Sequence, residues 1–520
     1  MNNLHRQTLL TYACMSALFG QGALAASVLQ VGTYNGIAGG FSTIQGAVSA
    51  AQPGDWILVA PGDYHEQATP NAGVFITTRN LHLRGMDRNG VIVDGTAPGA
   101  AACSNRERDQ VSGPSGGRNG IVVNQTYGVS IENLTACNFL SDSGGTGGNE
   151  IWWNGGDGSG VIGLSTYKGA YLTASSTVAV TAAGNLPQYG VFVSNANGPG
   201  RVEYAYASNM ADSAFYIGAC RDCNAVLSHV VAENSALGYS GTNAGGHLRL
   251  EDSEWAHNRV GIVPSSLAND DPPSPQDGSC PNDTTKSCTI IQRNYVHDNN
   301  NPNTPYSLGA FGPPVGTGIE LTGSRNDTVR GNLVVRNGAW GILVNDYADP
   351  TSPRVATYCQ GGIVNFAVPP PYNQLLGSVV PCYFHAYGSR VQGNVLIHNG
   401  FFGNVTNGDL ANLALPYPTN NCYFGNLDPT GAPSTAPTNL QDKSVAGRCN
   451  AAWTPDTAQV MTLFGQVLCD AFGPGSGLCY YPGYPQTTKP RTIPIPQQAS
   501  LPDPCAGVPA NTWCPVPARH

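Results

Sequence analysis

"GTGIELTG", residues 316–323, places one carboxylate, Glu320, in a run that is otherwise small, apolar or hydroxyl-bearing. Asp346 ends a similar run, "WGILVND" (340–346), and Arg325 and Asp327 follow Glu320 within seven residues. Together they form a candidate acid/base cluster. Two carboxyl groups about 5.5 Å or about 6.5–9.5 Å apart can hydrolyse a glycosidic bond. β-Elimination instead needs a cation or metal to hold the enolate and a basic side chain to take the proton. For that role the sequence offers Arg325, Tyr216, His247 and Arg249, the last two in the alternating strand "HLRLEDSEW" (247–255). The plain alternative is that these charges are solvated and pair weakly at the surface.

These side chains can meet only if the chain repeats. "YGVFVSN", "SAFYIGA", "LGYSGTN", "VGIVPSS", "TGIELTG" and "WGILVND" align on Gly190, Ala214, Gly238, Gly261, Gly318 and Gly341, at spacings of 24, 24, 23, 57 and 23. The long interval is one period plus a turn-rich insertion at 267–288. A second element, "VxxNxxxxN", recurs in "VRGNLVVRN" and "VQGNVLIHN", and more loosely in "IQRNYVHDNN". A period near 23 with short strands predicts an all-β solenoid, a right-handed parallel β-helix whose stacked coils share one core. Asn258, Asn299, Asn337 and Asn399 fall at equivalent turns, where Asn tolerates left-handed backbone and can bond along the stack.

Strand alternation then assigns faces. If the residue after each register position points inward, Val122, Trp152, Phe192, Tyr216, Ser240, Val263, Glu320 and Leu343 point outward. Asn345 lies in the outward column two residues on. Trp152, Phe192 and Tyr216 form an aromatic strip on which the C–H faces of sugars could pack, with Asn345 as a polar contact. The competing expectation is that a loop or the C-terminal segment covers these rings and makes them core.

The first coil needs a cap, because an open sheet edge invites pairing with another chain. "TIQGAVSAAQPGDWILVAPGDYHE" (43–66) begins with apolar residues at helical spacing (Ile44, Ala47, Val48, Ala51) and turns to strand after Pro53-Gly54-Asp55. This opening and the "GI" coils, over roughly residues 40–404, resemble the secreted parallel β-helix repeat proteins of the pectin-lyase-like superfamily. The resemblance implies the fold. It names no activity, since the superfamily includes lyases, hydrolases, epimerases and adhesins, and the "NTD", "GHG" and "DPHD" strings of some members do not occur.

Arg6, an apolar stretch and Ala23-Leu24-Ala25 predict a signal peptide over 1–25. Cys14 in "TYAC" lacks the surroundings of a lipidated cysteine. The β-helix is expected over 26–404, a packing region with one helix (455–472) over 405–481, and a proline-rich, disulfide-pinned tail over 482–520. Fourteen further cysteines suit an oxidising compartment, with 220–223, 280–288, 469–479 and 505–514 as natural neighbour pairs. Twenty-four basic against 33 acidic residues argue against nucleic acid, and after the leader no stretch is long enough to span a membrane. No cofactor is expected, although "NGGDGSG" (154–160) resembles an oxygen-rich calcium loop without its closing Glu. The expected partner is a polysaccharide or cell-surface glycan, cut by a lyase or hydrolase. The alternatives are a non-catalytic glycan-binding solenoid and an exported metal-handling protein.

Overall fold

Each segment that the glycine register aligns is a strand, paired in parallel with its counterpart one coil away. The computed structural model describes residues 26–220, 222–267, 288–308, 312–349, 359, 362–371, 373–414, 420–442, 456–472 and 493–515. Within it Phe192 lies opposite Trp152 and Tyr216, Tyr216 opposite Ser240, Ser240 opposite Val263, and Glu320 opposite Leu343. These strands form one eleven-stranded sheet running from Ala72–Ile76 to Thr435–Ala436, while a twenty-stranded sheet gathers the other flanks of the coils. Parallel crossovers take the right-handed sense, and the chain is a right-handed parallel β-helix. Val191, Phe215, Tyr239, Ile262, Ile319 and Ile342 point inward and are almost wholly buried.

Two buried amide ladders run along the stack. Nδ2 of Asn258, Asn299 and Asn337 each donates to Oδ1 of the next Asn, ending at Asn399, at 3.1–3.2 Å. A parallel ladder joins Asn294, Asn332, Asn394 and Asn426 at 2.8–3.0 Å. The two asparagines of "VxxNxxxxN" thus supply one rung to each ladder. The left-handed backbone falls one residue earlier than expected, on His257, Asp298, Arg336 and His398, with φ between 51° and 56°. That turn aims the following Asn into the stack, where its side chain does the bonding.

Helix α1 (Ile44–Ala50) closes the first coil. Thr43 caps it, and the Glu66 carboxylate accepts from the N–H groups of Ile44 (2.7 Å) and Gln45 (3.0 Å), satisfying donors that a helix start leaves free. Coil strands continue past residue 404, through Gly408–Leu413 and Cys422–Phe424, where the sequence lacks the Gly-Ile pair that marks earlier coils. Outside the coils stand the short helix α2 (Asn373–Leu376), a three-stranded antiparallel sheet (Tyr347–Asp349, Ile363–Ala367, Val379–Phe384) and α3 (Thr457–Phe472). Val460, Leu463, Phe464 and Val467 of α3 pack over Leu343 and Ala411 on the outer face.

The described part of the tail (493–515) packs on the first coils. Trp513 and Cys514 pack on Leu58, Ala60 and Met86 of the first coils, and the Arg84 guanidinium donates to the carbonyls of Pro504 (3.2 Å) and Ala506 (2.7 Å). Disulfides join 220–223 and 505–514 as expected, and also 103–137 and 359–382. The expected leader, Cys14, and one partner in each of the pairs 280–288 and 469–479 lie outside the described residues. Among the described residues no helix is long and apolar enough to cross a membrane.

Candidate functional site

Phe192, Tyr216, Ser240, Val263 and Glu320 of the outward column form the floor of a cavity of about 430 Å³. Its upper end is aromatic. Phe192 stacks on Tyr189 (centroids 4.2 Å apart) and on Trp152 (5.3 Å), and meets Tyr216 edge-on at 4.9 Å. The Tyr216 hydroxyl donates to the Thr242 carbonyl at 3.1 Å. Trp152 flanks the cavity without lining it, its indole N–H donating to Ser194 Oγ at 3.0 Å, whereas Trp153 points into the core.

Glu320 sits on this floor and is 2 % exposed. Oε1 accepts from the Thr322 hydroxyl at 2.9 Å, and Oε2 has no partner among the described residues. Burial pushes the carboxyl up to about 7, against the smaller opposing effect of hydrogen bonds from Thr322 and Asn345. Asp346, one coil on, also lines the cavity. Its Oδ2 accepts from the Tyr383 hydroxyl (2.7 Å) and faces His385 Nδ1 (3.3 Å), and its Oδ1 accepts from the Ala386 amide (2.7 Å). Burial raises its pKa, with His385 opposing.

A third carboxylate, Asp212, was not singled out in the sequence. It accepts from the Tyr189 hydroxyl (2.7 Å) and the Ser213 hydroxyl (2.5 Å), and burial raises its pKa too. Tyr189 and Asp212 stand at the ends of strands, where the coil bends and simple alternation no longer assigns a face. The walls come from segments remote in sequence. Leu308, Pro313 and Pro314 contribute from the stretch before Thr317. Leu376, Phe464, Val467 and Leu468 contribute from α2 and α3, and Tyr347 and Tyr383 from the inserted sheet.

Two expected members of the cluster are elsewhere. His247 precedes strand Leu248–Glu251 of the twenty-stranded sheet, on a different flank of the coil, and pairs with Asp222 at 2.8 Å. Arg325 follows Gly323, whose φ of 57° turns the chain off the floor, and its guanidinium lies 4.8 Å over the Tyr387 ring. Asp327 is buried with Thr289 N–H on Oδ1 (3.0 Å), and burial pushes its carboxyl up to about 7. In the loop considered for calcium, Asp157 closes a local turn with the Ser159 amide at 2.9 Å. Asp63, His65 and Asp94 bring ligand atoms within 4.8 Å of one another, with His65 Nδ1 donating to the Thr96 carbonyl at 2.8 Å.

The strands and the roofed cavity define a parallel β-helix with a cleft on one sheet, the fold class that the coil repeats imply. No family model and no curated protein matches the chain. Among solved structures it is similar to a mannuronic acid-specific polysaccharide family 6 lyase from human gut microbiota (12 % identity, TM-score 0.40, covering 77 % of this chain and 80 % of that one). It is also similar to the A-module of the Azotobacter vinelandii mannuronan C-5 epimerase AlgE4 (10 %, 0.37, 75 % and 88 %) and to the Erwinia chrysanthemi pectin methylesterase PemA (14 %, 0.31, 82 % and 98 %).

Proposed function

We propose that the protein is an exported glycan hydrolase that binds a polysaccharide segment in this cleft and cleaves it with Glu320 as the proton donor. The observation that carries the reading is the Glu320 carboxyl itself. It is buried on the floor of a cavity whose other end is aromatic, holds its proton up to about pH 7, and has one oxygen unpartnered among the described residues. A general acid needs that state at the operating pH. The glycosidic C–O bond breaks as Glu320 gives its proton to the departing oxygen. A water oxygen bonds to the anomeric carbon, and its proton passes to Asp346, which Tyr383, His385 and the Ala386 amide orient.

Hydrolysis is preferred to β-elimination because, among the described residues, the side chains expected to serve elimination do not meet at the cleft and the carboxyl groups do. His247 and Arg325 lie off the cleft, and the Tyr216 hydroxyl is committed to a carbonyl. Four disulfides among the described residues support action outside the cytosol.

The test is mass spectrometry of products after residues 26–520 are incubated with neutral and acidic polysaccharides, with and without calcium. Saturated fragments support the reading. Unsaturated fragments would replace it with a lyase, and binding without fragments with a glycan-binding solenoid.

A further inference from the structure

The cleft's charges and walls narrow the substrate class. We propose that it takes a neutral glycan segment carrying an apolar substituent, such as an acyl or aryl group, and not a uronic acid polymer. This deepens the glycan-processing reading and rests on it.

Charge is the first ground. The described residues that line the cavity include the carboxylates Asp212, Glu320 and Asp346 and no lysine or arginine. Asp212 and Asp346 are balanced by hydroxyl and amide donors, with His385 beside Asp346, so neither calls for a cationic ligand. The nearby guanidinium of Arg259 lies 4.3 Å over the Tyr306 ring, and that of Arg325 over Tyr387. A sugar carboxylate entering this floor would lose water, meet three acidic groups and find no described counter-charge. Burying a charge without a partner is among the largest costs a site can impose.

The second ground is the division of the surface. The floor carries its polar groups in the hydroxyls of Ser240, Thr242 and Thr322 and the Asn345 amide, with Val263 as an apolar break among them. Outside the sheet, the lining residues Leu308, Pro313, Pro314, Leu376, Phe464 and Leu468 offer no side-chain donor or acceptor. An unsubstituted sugar ring would press hydroxyls against hydrocarbon. A ring with an apolar group on that side keeps its hydroxyls on the floor and buries the group against the wall.

Calorimetry on the oxidised chain at pH 6 tests this with three probe sets of matched length. These are neutral oligosaccharides bearing a 4-nitrophenyl group, the same oligosaccharides without it, and oligogalacturonates with oligomannuronates. The nitrophenyl set should bind about tenfold tighter than the bare set and about 100-fold tighter than the uronates, with each tenfold worth about 1.4 kcal/mol. Leu308→Gln, verified as folded by its melting temperature, should erase the nitrophenyl advantage, so that the two neutral sets bind alike. Uronates binding as well as neutral sugars would overturn the substrate class and leave the glycan reading standing. A nitrophenyl group without benefit, or with the same benefit in Leu308→Gln, would overturn the role of the apolar wall. No binding by any set would overturn the glycan reading beneath it.

Discussion

Glu320 owes its chemistry to its place, since in water a glutamate ionises near pH 4.5. Thr322 and Asn345 give it too few donors to offset burial, so the proton stays on to about pH 7. Cleavage that needs this proton should therefore fall as pH rises through about 7 in kcat/KM profiles, and Glu320→Gln should lower the rate by about 100-fold or more and remove that limb. A stability effect follows with its own sign. Glu320 and Asp327 both have raised folded pKa values, so the folded chain holds protons that the unfolded chain releases. Their penalty is absent below the unfolded pKa and grows until pH passes the folded value near 7. Melting temperatures should fall from pH 5 to pH 8, and should fall less in Asp327→Asn.

The strands were legible because two regularities coincide, alternation along each strand and a fixed register position in each coil. The order Trp152, Phe192, Tyr216, Ser240, Val263, Glu320, Leu343 could be read from them and matches the observed register. Alternation says only that a residue faces out, and a coil has more than one outer flank. Alternation marks His247 as an outward residue and a candidate base, yet its strand belongs to the other sheet. The walls were less legible still. The inserted stretch 347–385 could be expected to build a cleft wall, but Leu308, Pro313 and α3 reach the cavity by loops with no period. The ladders make a prediction at this scale. Asn332→Ala removes the acceptor of the Asn294 amide groups and the donor to the Ile291 carbonyl and Asn394, all buried. It should cost about 3 kcal/mol, readable as a lower denaturation midpoint, while an exposed turn change such as Arg293→Ala should cost far less.

Over the whole molecule, each end of the solenoid is covered differently. Helix α1 and the returning tail cover the first coils, and α3 covers the outer face of the last ones while walling the cleft. The tail engages buried groups: Arg88 donates to the Ala499 carbonyl at 3.0 Å, and Asn133 Oδ1 accepts from the Leu501 amide at 2.7 Å. A chain ending at residue 492 should lose about 3 kcal/mol or more through these orphaned groups, with a lower melting temperature, yet keep the cleft and its ligand binding. Glycan binding and cleavage in the cleft are tested most directly by a crystal structure of Glu320→Gln soaked with a neutral substituted oligosaccharide. Sugar density is expected along the floor, with one ring on Phe192 or Tyr216 and the glycosidic oxygen within hydrogen-bond reach of residue 320. Sugar bound on another flank of the β-helix, with the cleft empty, would contradict it.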